Sequence, residues 1–153
     1  MAQSQFEYET YIRTTPENLW RALTEPEFTR QYWAETWQES TWEPGASWRL
    51  MIPDGRVGDT GNVMEIAPFR RLVLSWRVEH VEELKNEGHS HVTYELEPLG
   101  TSVKFTFRQV IDRSDSVLIA TMAQGWPHLF ASLKSMLETG EPLEETRHWP
   151  EGH

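Results

Sequence analysis

The chain contains no cysteine. Disulfides and thiolate metal sites are therefore excluded, and a reducing compartment is compatible with the composition. No apolar run approaches the ~20 residues of a membrane-crossing helix. The first residues, Met1-Ala2-Gln3-Ser4-Gln5, show no basic stretch followed by an apolar one, so no signal peptide is expected and a cytoplasmic location is. Positive charge is scarce: 14 Lys and Arg face 24 Asp and Glu, a formal net charge of −10. Nucleic-acid binding needs Lys and Arg to neutralise phosphates, and anionic membranes attract the same residues, so neither partner is expected. No glycine-rich phosphate loop and no G-x-S-x-G nucleophile turn occurs.

Tryptophan, by contrast, is abundant, with eight in 153 residues. Each brings a large apolar area and one N–H that needs a partner when buried. One domain of this length buries roughly 70% of the surface exposed by its unfolded chain. The domain is expected to span residues 1–140, and 141–153 reads as an acidic tail, mobile or loosely docked.

Periodicity places the elements. Phe6, Tyr8, Thr10 and Ile12 alternate with Glu7, Glu9, Tyr11 and Arg13, which predicts a half-buried strand. Thr15-Pro16 opens a short helix carrying Leu19, Trp20 and Leu23. Thr24 and Glu27 are spaced as a capping box for a second short helix ending near Tyr32-Trp33. About six strands linked by turns follow. Pro44-Gly45, Asp54-Gly55, Pro68-Phe69-Arg70 and Pro98-Leu99-Gly100 mark the turns, and Glu82 to Gly88 reads as a solvated charged loop. The last apolar segment runs from Val117 to a stop at Gly140 and Pro142, with a break or kink expected at Gly125 and Pro127. Trp126, Leu129, Phe130, Leu133, Met136 and Leu137 form its apolar stripe. Short connections imply antiparallel neighbours, and the alternation leaves one wet sheet face and one for the C-terminal helix to cover. The fold class is α+β.

Three stretches carry a family resemblance. Thr24-Glu25-Pro26-Glu27 leads to Tyr32-Trp33; Gly61 to Ile66 is followed by Pro68 to Trp76; Gly125-Trp126-Pro127 precedes Leu133 and Leu137-Glu138-Thr139-Gly140. Together they resemble the START-like (SRPBCC) superfamily, in the branch of the C-terminal domain of activator of heat-shock-protein-90 ATPase homologues. That resemblance implies a helix-grip fold: a curved antiparallel sheet around a long C-terminal helix, with two short helices after the first strand. It also implies an apolar cavity between sheet and helix, and no shared catalytic constellation. The separate domain that precedes this one in the co-chaperone giving the family its name is not expected here.

Within such a cavity, alternation turns Trp48, Leu50, Trp76, Tyr94, Phe105 and Phe107 inward from the sheet. Met122, Trp126, Phe130 and Leu133 face them from the helix, and Trp33 stands at the mouth. Tryptophan N–H groups, the Tyr94 hydroxyl and Arg49 are candidates for orienting a ligand. The same residues read equally well as a filled core. His89 and His91 lie on one side of a strand near His80, but zinc usually takes three or four protein ligands, so no metal and no cofactor are expected. His128 is placed at the helix surface, and Glu65 reads as solvated. No catalytic residue stands out. The expected role is binding an apolar small molecule. The alternatives are a protein-interaction module acting like a co-chaperone on an ATPase, and a cyclase- or aromatase-like enzyme on an apolar substrate; a protein partner or a homodimer is possible.

Overall fold

The computed structural model describes residues 2–150. Seven strands form one antiparallel sheet in the order β1-β7-β6-β5-β4-β3-β2. The strands are β1 (Ser4–Ile12), β2 (Trp37–Ser40), β3 (Ser47–Met51), β4 (Val57–Ala67), β5 (Arg71–Val78), β6 (Ser90–Leu99) and β7 (Ser102–Ile111). From β2 to β7 they form a meander, because each short connection, the one after β5 carrying a single helical turn, returns the chain beside the strand it has just left. β1 closes the series against β7, pairing Ser4 with Ile111 and Ile12 with Val103. The helices are α1 (Pro16–Thr24), α2 (Pro26–Tyr32), α3 (Glu82–Lys85) and α4 (Val117–Thr139). This is the helix-grip arrangement.

The outer sheet face carries cross-strand ion pairs such as Arg71 with Glu65 and Glu95, Arg49 with Glu39, and Lys104 with Glu9. The inner face buries Ile12, Trp48, Leu50, Leu72, Leu74, Trp76, Val92, Tyr94, Leu96, Val103, Phe105 and Phe107. α4 lays Trp126, Leu129, Phe130, Leu133 and Met136 on it. It does not cover that face alone: Leu19, Trp20, Ala22 and Leu23 of α1 and Tyr32 of α2 complete the same core. The two short helices thus form part of the grip.

Four local expectations are corrected. Thr24 does not cap α2; it is the last residue of α1, its hydroxyl donates to the Trp20 carbonyl at 2.9 Å, and α2 starts from Glu25 without a side-chain cap. The long helix is unbroken from Val117 to Thr139, although Pro127 supplies no N–H to the Ala123 carbonyl. The stretch after Glu82 is not simply a solvated loop. It forms α3, buries Leu84, and aims Glu87 at the start of α4, where the carboxylate accepts from the Ser116 hydroxyl at 2.5 Å and from Val117 N at 2.9 Å. Finally, residues 141–150 are folded against the body. Pro142 is buried, Leu143 N donates to Ser132 Oγ at 2.9 Å, and Ala34 N donates to the Thr146 carbonyl at 2.7 Å.

Candidate functional site

The inner face has two regimes. Toward the C-terminal half of α4 it is filled with rings. Phe105 meets Phe130 at 5.1 Å between centroids, Phe107 meets Phe130 at 4.8 Å and Trp126 at 4.6 Å, and Tyr94 lies 5.4 Å from Phe107. Trp48 packs 4.3 Å from Trp76. Among the inward candidates, Trp48, Tyr94, Phe105, Phe107, Phe130 and Leu133 sit in this packed core and do not line the cleft at the N-terminal half of α4. Aromatic side chains on adjacent strands and on the helix stripe are large enough to meet across the gap, which is why the space closes there.

Beside the N-terminal half of α4 the gap stays open. A cleft of about 400 Å³ is lined by the other five candidates, Trp33, Leu50, Trp76, Met122 and Trp126, together with residues that periodicity did not single out. Gly125 adds no side chain to its wall, and a Cβ there would meet nothing within 4 Å. Trp33 follows α2 as its C-terminal cap, and Ala34 and Glu35 turn the chain with φ of 49° and 65°. That turn, pinned to Thr146, holds the Trp33 ring 5.8 Å from Trp126 and 6.0 Å from Trp76. Trp76 and Trp126 meet edge to face at 5.7 Å. Residues 145–150 form the outer wall, with His148 held 2.9 Å from Glu35 and His128 3.3 Å from Glu145.

Three of the tryptophan N–H groups proposed from the sequence are committed to protein acceptors, and Arg49 points away. Trp48 Nε1 donates to Gln38 and Trp126 Nε1 to Gln109, both at 2.9 Å. Trp76 Nε1 donates to Asp59. Arg49 is on the outer face, paired with Glu39 at 2.8 Å. Burial raises the Tyr94 phenol pKa well above its ordinary range.

The unforeseen polar feature is Asp59 on β4, which is 4% exposed and lines the cleft. Its Oδ2 accepts from Trp76, whereas its buried Oδ1 has no hydrogen-bond partner. The nearest cationic candidate is His80 Nδ1, 3.4 Å away and 2.9 Å from the Gly58 carbonyl. The Gly58 carbonyl is the nearer acceptor for Nδ1, and the longer Asp59 approach is an ion pair when His80 is protonated. The Asp59 carboxylate is the main reason the His80 pKa stands above its ordinary 6.5; burial opposes it and the Gly58 carbonyl adds to it. A signal for Asp59 exists in the sequence. The Asp54-Gly55 hairpin pairs Leu50 with Asp59, and directly opposed residues share a sheet face. Trp149 lies in the tail and had no periodicity to reveal it; its ring is 5.6 Å from His80.

The remaining candidates are peripheral. His91 is exposed, and Glu65 is exposed and paired with Arg71. Among the described residues no cluster of three or more His, Cys, Asp or Glu is arranged to hold a metal. Among the described residues no helix is long and apolar enough to cross a membrane.

Comparison with solved structures gives the same fold repeatedly. A Mesorhizobium loti protein is 24% identical with a TM-score of 0.73, covering 88% of this chain and 96% of its own. The Aha1 dimer from Colwellia psychrerythraea is 17% identical with a TM-score of 0.72, covering 90% and 98%. DynU16, from the dynemicin biosynthetic locus, is 21% identical with a TM-score of 0.70, covering 90% of this chain and 48% of its own. At these identities the likeness shows the fold alone. No curated protein matches the chain. The family model described as Activator of Hsp90 ATPase homolog 1-like protein matches residues 13–138, and the chain belongs to that family, within the START-like superfamily.

Proposed function

We propose that this protein binds a small, largely apolar molecule in the cleft between the sheet and the N-terminal half of α4. The observation that carries this reading is the contrast along one sheet face: packed rings at one end, and at the other a cleft of about 400 Å³ walled by Trp33, Trp76, Trp126, Leu50 and Met122. That volume and lining suit a ligand of drug-like size, with few polar groups to fix its orientation. The presence of a fold relative in a biosynthetic locus supports a small-molecule role in the same direction.

Tryptophan fluorescence reports on the site directly, because four of its lining residues, Trp33, Trp76, Trp126 and Trp149, are indoles. Titration with naphthalene-sized aromatics should give saturable quenching. The Gly125→Leu variant should weaken binding at least about tenfold, since the new side chain enters a wall that is open now. Absence of saturable quenching across such a panel would overturn the reading.

A second reading, pairing of two copies, takes support from the Colwellia relative, which is a dimer. β1 and β2 are edge strands that offer backbone groups for pairing. Sedimentation equilibrium decides it, and a single monomeric species at all loading concentrations counts against it.

A further inference from the structure

Two residues of the cleft wall each carry a buried polar atom that lacks a hydrogen-bond partner, and the two atoms are of opposite kind. Asp59 Oδ1 is an acceptor, and Trp149 Nε1 is a donor. Asp59 cannot turn away to find a partner. Its other oxygen is tied to Trp76 Nε1, its residue is 4% exposed, and its backbone lies in β4 between Leu50 of β3 and Val78 of β5. His80 gives it only a long ion-pair contact of 3.4 Å, since its Nδ1 lies nearer, at 2.9 Å, to the Gly58 carbonyl. A buried polar atom left unpaired is unfavourable by roughly 1–3 kcal/mol, more where it is charged, so such an atom in a cleft wall favours an occupant that completes it.

We propose that Asp59 and Trp149 form a polar subsite for a hydroxyl group, and that the ligand is an apolar molecule bearing a phenol or alcohol. The inference rests on the small-molecule reading above and adds its polar chemistry. A hydroxyl both donates and accepts, matching one orphan acceptor and one orphan donor within the same walls. An ether or ketone can only accept and leaves Asp59 unpaired. A carboxylate would meet the Asp59 charge, and the two like charges repel. A primary ammonium satisfies Asp59 but offers nothing to the Trp149 N–H. The indoles of Trp33, Trp76 and Trp126 take up the apolar body.

Three probes with one ring system separate these contributions: naphthalene, 2-methoxynaphthalene and 2-naphthol, titrated against the full chain and followed by tryptophan fluorescence and calorimetry. The expected order is 2-naphthol tightest, about tenfold ahead of 2-methoxynaphthalene, with naphthalene weakest. Asp59→Asn keeps an acceptor for Trp76 but removes the carboxylate. It should cut the naphthol-to-methoxynaphthalene ratio to below about threefold. Trp149→Phe keeps the wall but removes the donor, and should weaken both oxygen-bearing probes alike. Circular dichroism checks that each variant is folded. If Asp59→Asn does not fold, the order of the three probes on the unaltered chain decides alone. Equal binding of all three overturns the hydroxyl subsite while leaving the apolar cleft standing. Failure of all three to bind overturns both.

Discussion

Trp76 Nε1 donates its proton to the Asp59 carboxylate across the β4–β5 pair, and both residues are buried beneath the cleft. Removing the donor strands a buried charge, whereas removing the charge as well does not. Trp76→Phe should therefore destabilise the fold by about 3 kcal/mol, combining the orphaned carboxylate with a cavity. Adding Asp59→Leu to that variant should restore part of the loss. Urea unfolding of the two single variants and the double gives the coupling energy. A strictly additive cycle would show that the bond contributes nothing beyond packing.

His80 gives the protein a titration near neutrality. Its pKa lies above the ordinary 6.5 because of the Asp59 carboxylate, with burial and the Arg56 charge opposing and the Gly58 carbonyl assisting; the Trp149 ring is its other neighbour. A raised pKa means the folded chain holds the proton more tightly than the unfolded chain. The stabilisation is complete below 6.5 and is lost as pH rises through the folded value. The stability gap between the natural chain and His80→Gln should thus be larger at about pH 6 than at about pH 8. An NMR titration of the imidazole should show a midpoint above 6.5, lowered by Asp59→Asn; a midpoint at or below 6.5 would refute the coupling.

Glu87 closes the N-terminus of α4 from a distant part of the chain. Its side chain is 7% exposed and accepts from the Ser116 hydroxyl and from Val117 and Leu118 N–H groups, with Arg113 at 3.9 Å. These are otherwise orphan donors at the positive end of the helix dipole. Glu87→Ala should lower stability by about 2 kcal/mol and Glu87→Gln by about 1 kcal/mol, measured by urea unfolding. Neither should change ligand affinity, because Glu87 does not border the cleft.

These residues show where sequence reasoning carries and where it stops. Alternation located the strands and the inner face well, because burial repeats every second residue: β7 buries Val103, Phe105 and Phe107 in turn. It could not separate filled from open space along that face. The difference depends on which rings meet across the gap, and Phe130 reaches Phe105 while Gly125 reaches nothing. Glu87 was hidden because its helix partner lies 30 residues away and no local spacing links Glu87 to Val117. Asp59 was legible in principle through the register of the Asp54-Gly55 hairpin, which sets it opposite Leu50. Alternation alone misses it, since it searches for apolar residues and the informative one is a buried acid.

Gly61 fixes how closely β4 and β5 approach, and with it the site. A Cβ at this position would stand 1.7 Å from the Ser75 carbonyl oxygen and 2.5 Å from its carbon, both backbone atoms that cannot swing aside. The close approach also brings Asn62 N within 2.8 Å of Ser75 Oγ. Asp59 lies two residues before Gly61 on β4 and Trp76 follows Ser75 on β5, so parting the strands here separates the two. Gly61→Ala should cost about 3 kcal/mol and shift the tryptophan emission as the Trp76 environment changes. Gly58→Ala, whose Cβ would meet Ile52 Cγ1 at 3.1 Å and the Leu50 carbonyl at 3.3 Å, should cost about 1 kcal/mol, because a side chain can yield. Gly125→Ala has open space and a helical backbone, so it should stabilise by about 0.5–1 kcal/mol. Urea midpoints in that order would support strand approach as the controlling factor. A Gly61→Ala protein as stable as Gly58→Ala, with unchanged emission, would show that β4 and β5 can separate without disturbing the Asp59–Trp76 pair.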